Sequence, residues 1–66
     1  MNAAVELSKG ERSKIAIVDA AHQLFVDQGF AATSMRQIAY RSGIALGGIY
    51  NHFPNKEAIF TEVIID

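Results

Sequence analysis

Arg36, Arg41 and Lys56 fall within residues 28–56, a window that holds no acidic side chain, although the chain as a whole has seven acids against six Lys and Arg. All seven acids lie at or before Asp27, or at or after Glu57. A carboxylate in such a window would repel a polyanion, so its clearance suits a surface that faces phosphate. Other chemistry has less to work with. There is no cysteine to act as a nucleophile or thiolate ligand, and His22 and His52 stand alone without a second imidazole nearby. No carboxylate pair or nucleophile–base pair forms a catalytic motif, so neither an enzyme nor a metal or cofactor site is expected. What remains is non-covalent recognition. The stretch T-S-M-R-Q-I-A-Y-R-S-G-I-A-L-G-G-I-Y-N-H-F, residues 33–53, reads as a short helix, a glycine turn and a second short helix. That is the pattern of a DNA-binding helix-turn-helix.

Sixty-six residues make one small domain, in which about 60% of the chain's surface can be buried. Half the residues are apolar and a fifth are charged, which is globular composition. No apolar run approaches the ~20 residues of a membrane span, and the N-terminus lacks the apolar core of a secretory signal. A cytoplasmic protein with no membrane partner is the expectation. The net charge of −1 does not advertise nucleic-acid binding; only the distribution of charge does.

The elements that must carry the window are all helical. Residues 1–10 show no period and are expected as a flexible arm, whose Lys9, with Arg12 and Lys14 beyond it, is either solvated or within reach of phosphate. From about residue 11 to 28, Ile17, Ala20, Ala21, Leu24 and Phe25 recur at three- and four-residue spacings, with Val18 widening the stripe. Gly29 should end this helix in a left-handed conformation, with Phe30 folding back over the end. Ser34 and Gln37 have the spacing of a capping box, and Thr33 and Ile38 occupy the staple positions, so a helix over 35–42 is expected. Gly43 supplies a positive-φ turn, and Ile44 enters the core as the chain changes direction.

A third helix should run from about 46 to 52. At 100° per residue, Ile49 and Phe53 point inward, Leu46 and Tyr50 lie at the core edge, and Gly47, Gly48 and Asn51 point away. Two adjacent glycines cost about 2 kcal/mol of helix propensity relative to alanine, which suggests that something must approach that face closely. The alternative is a helix that begins only near Gly48. Pro54-Asn55 then ends this helix and caps a fourth, whose Ala58, Ile59, Phe60, Val63, Ile64 and Ile65 are apolar on many sides. Such a helix is expected to continue into a further domain that covers it. The expected organisation is therefore a 1–10 arm, an 11–53 three-helix unit, and a 54–66 start of a connecting helix, all-α throughout.

Ala20-Ala21, Leu24-Phe25, Gly29-Phe30, Thr33-Ser34, Ile38-Ala39, and then the unbroken S-G-I-A-L-G-G-I-Y-N-H-F-P-N-K-E of residues 42–57 resemble the N-terminal domain of TetR-family transcriptional regulators. The most specific part is G-x-x-x-G-x-I-Y-x-H-F-x-x-K-E, whose spacing carries through without a gap. The resemblance covers about residues 14–60. It implies a three-helix DNA-binding head of homeodomain-like form. It further implies a helical second domain, absent here, that forms a homodimer and holds a small-molecule effector. Such a dimer binds palindromic double-stranded DNA, most often as a repressor.

Matched position by position, the resemblance assigns Tyr50, His52 and Lys56 to phosphate, and a phenol, an imidazole and an ammonium can each donate to phosphate oxygen. It places Thr33 and Ser34 at the start of helix two, where hydroxyls and free backbone amides bind phosphate. Arg36 matches a position that touches phosphate or a base edge, and Ala45, Leu46, Gly47, Gly48 and Asn51 match the segment that enters the major groove. The chain departs from the family's pattern where Ala45 stands for the usual Ser, where Leu46 replaces a polar residue, and where Gly48 stands for Thr or Ser. Helix three thus has a weak cap and no Lys or Arg to read guanine. Asn51 is expected to read adenine, Ala45 or Leu46 a thymine methyl, and Arg36 guanine. A rival of another class is a helical protein-interaction or dimerisation module that no longer binds DNA, which the overall acidic balance favours.

Overall fold

The computed structural model describes residues 7–65. Four helices follow one another, α1 (Lys9–Gln28), α2 (Met35–Ser42), α3 (Leu46–His52) and α4 (Lys56–Ile65), and there is no strand among the described residues. The first six residues of the expected arm lie outside the described part. Its other end needs correction, because Lys9 and Gly10 are already helical. Ser8 caps α1: its hydroxyl accepts from the Glu11 amide at 3.1 Å, while the Glu11 carboxylate accepts from the Ser8 amide at 2.8 Å. The Ser8 amide, and after it the Ser8 hydroxyl, hold the Glu11 carboxyl below the ordinary glutamate range.

One isoleucine from each helix is fully buried, namely Ile17, Ile38, Ile49 and Ile59. With Ala20, Ala21, Leu24 and Phe53 they form a single core, against which Val18, Phe25, Met35, Ala39, Ile44 and Ala58 pack in part. Each buried isoleucine contributes about 1.5–3 kcal/mol of transfer free energy. The small Ala20 and Ala21 on α1 leave room for the helices that cross it. α1 packs on both α2 and α4, whereas α3 packs chiefly on α2.

The turn between α1 and α2 differs from its expected form. Gly29 has φ 89° and ψ 156°, a conformation open mainly to glycine but not the left-handed helical one. Its amide still donates to the Phe25 carbonyl at 2.9 Å. Its own carbonyl accepts from the Thr33 hydroxyl at 2.8 Å, so the chain leaves α1 extended and is retied four residues later. Phe30 folds back between Phe25 of α1 and Phe60 of α4, with ring centroids 5.2 Å from each.

Candidate nucleic-acid interface

α2 begins on Ser34, whose hydroxyl accepts from the Gln37 amide at 3.1 Å while the Gln37 side chain accepts from the Ser34 amide at 2.9 Å. The box satisfies the first and fourth amides of the helix start. Among the described residues, no acceptor faces the amides of Met35 and Arg36. These two donors, the positive end of the helix dipole and the remaining proton of the Ser34 hydroxyl together suit an anionic oxygen. Arg36 is exposed beside them and makes no hydrogen bond or ion pair among the described residues.

The helix is held firmly in place. On the side facing α1, the Gln28 amide donates to the Gln37 side chain and to the Ala32 carbonyl, each at 3.0 Å, and the Arg41 guanidinium donates to Gln23 at 3.0 Å. Arg41 thereby serves as a tether between helices. Gly43 ends α2 with φ 76° and ψ 15°, left-handed, its amide returning to Ala39 at 3.0 Å.

α3 follows after three residues, Gly43, Ile44 and Ala45. Ala45 occupies its cap position with no side-chain hydrogen bond, and Ile49 is the helix's one buried residue. Tyr50, Asn51 and His52 are exposed along it, Tyr50 at 50%. Leu46 is half-buried, which places it at the core edge. The two glycines part company. A Cβ on Gly47 would meet nothing within 4 Å, so that position is an open part of the outer face. A Cβ on Gly48 would stand 3.0 Å from the Ile44 side chain, so Gly48 is half-buried against the turn and does not point away. Close approach of its own chain accounts for this glycine.

Two of the sequence-derived site residues turn inward. Thr33 is 2% exposed, and its hydroxyl proton is committed to the Gly29 carbonyl, so it cannot donate to phosphate while this turn is intact. Lys56 is half-buried, its ammonium donating to the carbonyls of Phe30 at 2.7 Å, Thr33 at 2.9 Å and Ala31 at 3.4 Å. Ser34, Arg36, Ala45, Gly47, Tyr50, Asn51 and His52 remain exposed on α2, α3 and the turn joining them. His52 lies close to α1, with its Cε1 4.0 Å from the place of a Cβ on Gly10.

Tyr40 was not singled out by the sequence and is 91% exposed. It follows Arg36 by one helical turn and lies about 200° around α2 from Ile38, which is the signal that could have found it. Lys14, by contrast, pairs with Glu62 of α4 at 3.6 Å on the surface.

The model of the TetR family of bacterial regulatory proteins matches residues 17–63. The HTH-type transcriptional repressor KstR2 of Rhodococcus jostii is 38% identical over 55 residues, 83% of this chain and 26% of that protein. The HTH-type transcriptional regulator AcrR of Shigella flexneri is 43% identical over 47 residues, 71% of this chain and 22% of its own length. UidR of Escherichia coli, also an HTH-type transcriptional regulator, is 31% identical over 58 residues, 88% of this chain and 30% of that protein. The chain thus spans about a quarter of the length of these curated relatives. No solved structure matches at the same stringency. With its capped α2, left-handed Gly43 turn and short α3 falling within the matched residues, the chain belongs to the TetR family of bacterial regulatory proteins.

Proposed function

We propose that this chain is the DNA-binding head of a ligand-responsive transcriptional repressor that acts in the cytoplasm as a homodimer on a palindromic operator. α3, residues 46–52, enters the major groove, and the start of α2 sits on the phosphate backbone. The observation that carries this is that the acid-free residues 28–56 expose, on the neighbouring helices α2 and α3, an Arg36 with no hydrogen bond or ion pair among the described residues together with Tyr50, Asn51 and His52. Repression is favoured by the name of the KstR2 relatives. Dimerisation and effector binding rest on the resemblance and belong to a part of the protein beyond this head.

Specificity in this reading comes from few groups. Asn51 reads adenine bidentately, Arg36 is the group suited to guanine, and Ala45 or the edge of Leu46 contacts a thymine methyl. Phosphate contacts and DNA shape supply the rest.

Selection from a random palindromic library with the intact protein, followed by titration at several salt concentrations, tests the proposal. The expected result is a selected half-site containing adenine, an affinity that falls steeply with salt, and a preference relaxed at that adenine by Asn51→Ala. The isolated head should bind the same operator far more weakly than the dimer, which engages two half-sites roughly 34–36 Å apart. Absence of binding by the intact protein, or a flat salt dependence, would favour the protein-interaction module instead.

A further inference from the structure

We propose that Gln28 is a positioning residue for the start of α2, and that it acts through the side chain of Gln37. The affinity readout of this inference rests on the DNA-binding reading; its structural readout does not.

A carboxamide nitrogen has two N–H donors, and at Gln28 both are used: the Gln37 side-chain oxygen and the Ala32 carbonyl each lie 3.0 Å away. The Thr33 hydroxyl oxygen stands further off, at 3.5 Å. Gln28 is the last residue of α1, so its side chain reaches past the Gly29 turn to the first turn of α2. The Gln37 oxygen takes a second donor as well, the Ser34 amide at 2.9 Å. Two donors, one from each side of the turn, thus meet on a single oxygen.

That meeting decides which way the Gln37 carboxamide faces. One end of a carboxamide accepts and the other donates, although the two ends have nearly the same shape. Turned over, Gln37 would set its own N–H groups against the Ser34 amide and against Gln28, donor facing donor. The Ser34 amide favours the observed orientation by one hydrogen bond; Gln28 adds a second and anchors it to the end of α1. A carboxylate at residue 37 would need no such selection, because both of its oxygens accept. With glutamine there, the capping box of α2 depends on a partner outside the helix. The closed box in turn aims the Met35 and Arg36 amides. Gln28 therefore shapes the surface proposed to meet phosphate without adding charge to it.

Gln28→Met keeps the length of the side chain and removes both donors. It is measured in the intact protein, alone and combined with Gln37→Ala, for amide exchange at Ser34 and for operator affinity across a salt series. Gln28 is exposed and outside the buried core, so the variant should fold, with a urea midpoint to check it. Alone, Gln28→Met is expected to speed Ser34 exchange and to weaken operator binding by about three- to tenfold, as loss of a neutral hydrogen bond does. The slope of log affinity against log salt should stay that of the wild type, since a neutral side chain displaces no counterion. In the Gln37→Ala background the same substitution should add little to either readout, because the group it acts through is gone. Unaltered Ser34 exchange in Gln28→Met would overturn the proposal. So would an affinity loss that persists in full beside Gln37→Ala, which would mark Gln28 as a direct contact. Failure of the wild-type protein to bind any DNA would remove the DNA reading alone, because Ser34 exchange still reports on Gln28.

Discussion

α2 and α3 are of nearly equal length, eight residues and seven, and they are fixed in opposite ways. α2 has a full capping box, a left-handed glycine stop, side-chain hydrogen bonds to Gln28 and Gln23 of α1, and a preceding turn anchored by Lys56. α3 has no side-chain cap, two glycines in its first turn, and one buried side chain, Ile49. The contrast suits a division of labour. Phosphate contacts fix register and orientation, while base contacts carry the sequence information. α3 carries no Lys or Arg, so in the proposed complex long-range attraction to DNA comes from outside it.

Ile49 is the place where this comparison breaks most sharply. Ile49→Ala should cost about 2–5 kcal/mol, a large part of the 5–15 kcal/mol typical of a small domain. Ile38→Ala falls in the same range by volume. However, α2 retains its polar tethers, so its amides should stay protected in the Ile38 variant at denaturant concentrations where α3 amides in the Ile49 variant already exchange freely. Equal loss of protection in the two helices would show that the polar tethers add nothing to α2.

Next in size are the caps. Ser34→Ala removes the acceptor for the Gln37 amide and should destabilise the domain by about 1 kcal/mol. Ala45→Ser should do the reverse by a similar amount, since Ala45 is exposed with φ −58° and ψ 147°, a backbone that already suits a cap. Urea midpoints moving in opposite directions would establish the asymmetry between the helices. Ser34→Ala is also expected to weaken operator binding more than its stability change implies, because the cap fixes the Met35 and Arg36 amides that the proposal sets on phosphate.

The glycines of α3 divide the stability question from the binding question. Gly47→Ala meets open space and should stabilise the helix by up to about 1 kcal/mol. Gly48→Ala puts a methyl 3.0 Å from Ile44 and should gain little or lose stability. If the open face of Gly47 meets DNA, the more stable Gly47→Ala variant should be the weaker DNA binder, read by midpoint and by operator titration on the same sample.

Much of this frame was legible because its signals are local. Ser34 with Gln37, Gly43, and Pro54-Asn55 lie within a few residues of the boundaries they create, and the bounds of α2 and α3 agree with the structure to the residue. The start of α1 was missed because Ser8 and Glu11, although spaced as a capping box, precede any apolar period. The hydrogen bonds of Thr33 and Lys56 depend on something a sequence does not display. Their partners are backbone carbonyls, and the carbonyls held by Lys56 lie 23–26 residues away. Any residue carries a carbonyl, so no residue type marks the place where three of them converge. Gly48 was misplaced for a related reason: the helical angle points it outward, but Ile44 in the preceding turn curls over it.

The smallest effect separates two capping boxes of the same form. The box of α1 closes with Glu11, that of α2 with Gln37. Glu11 is held below the ordinary glutamate range first by the Ser8 amide and then by the Ser8 hydroxyl. A depressed carboxyl contributes stability that is fully present above the unfolded-state value and is lost as pH falls through the folded-state value. Acidification should therefore loosen the start of α1, read as faster exchange of the Glu11 amide relative to its intrinsic rate, while the Gln37 amide keeps its protection. The exchange of Gln for Glu has a counterpart in function. A carboxylate at residue 37 would cap α2 as well as the amide does, but it would put negative charge beside the Met35 and Arg36 amides. Gln37→Glu should thus preserve the fold near neutral pH and weaken operator binding, with affinity recovering as the pH is lowered toward the carboxyl's own titration. Operator affinity unchanged by Gln37→Glu at neutral pH and low salt would mean that the start of α2 does not face phosphate.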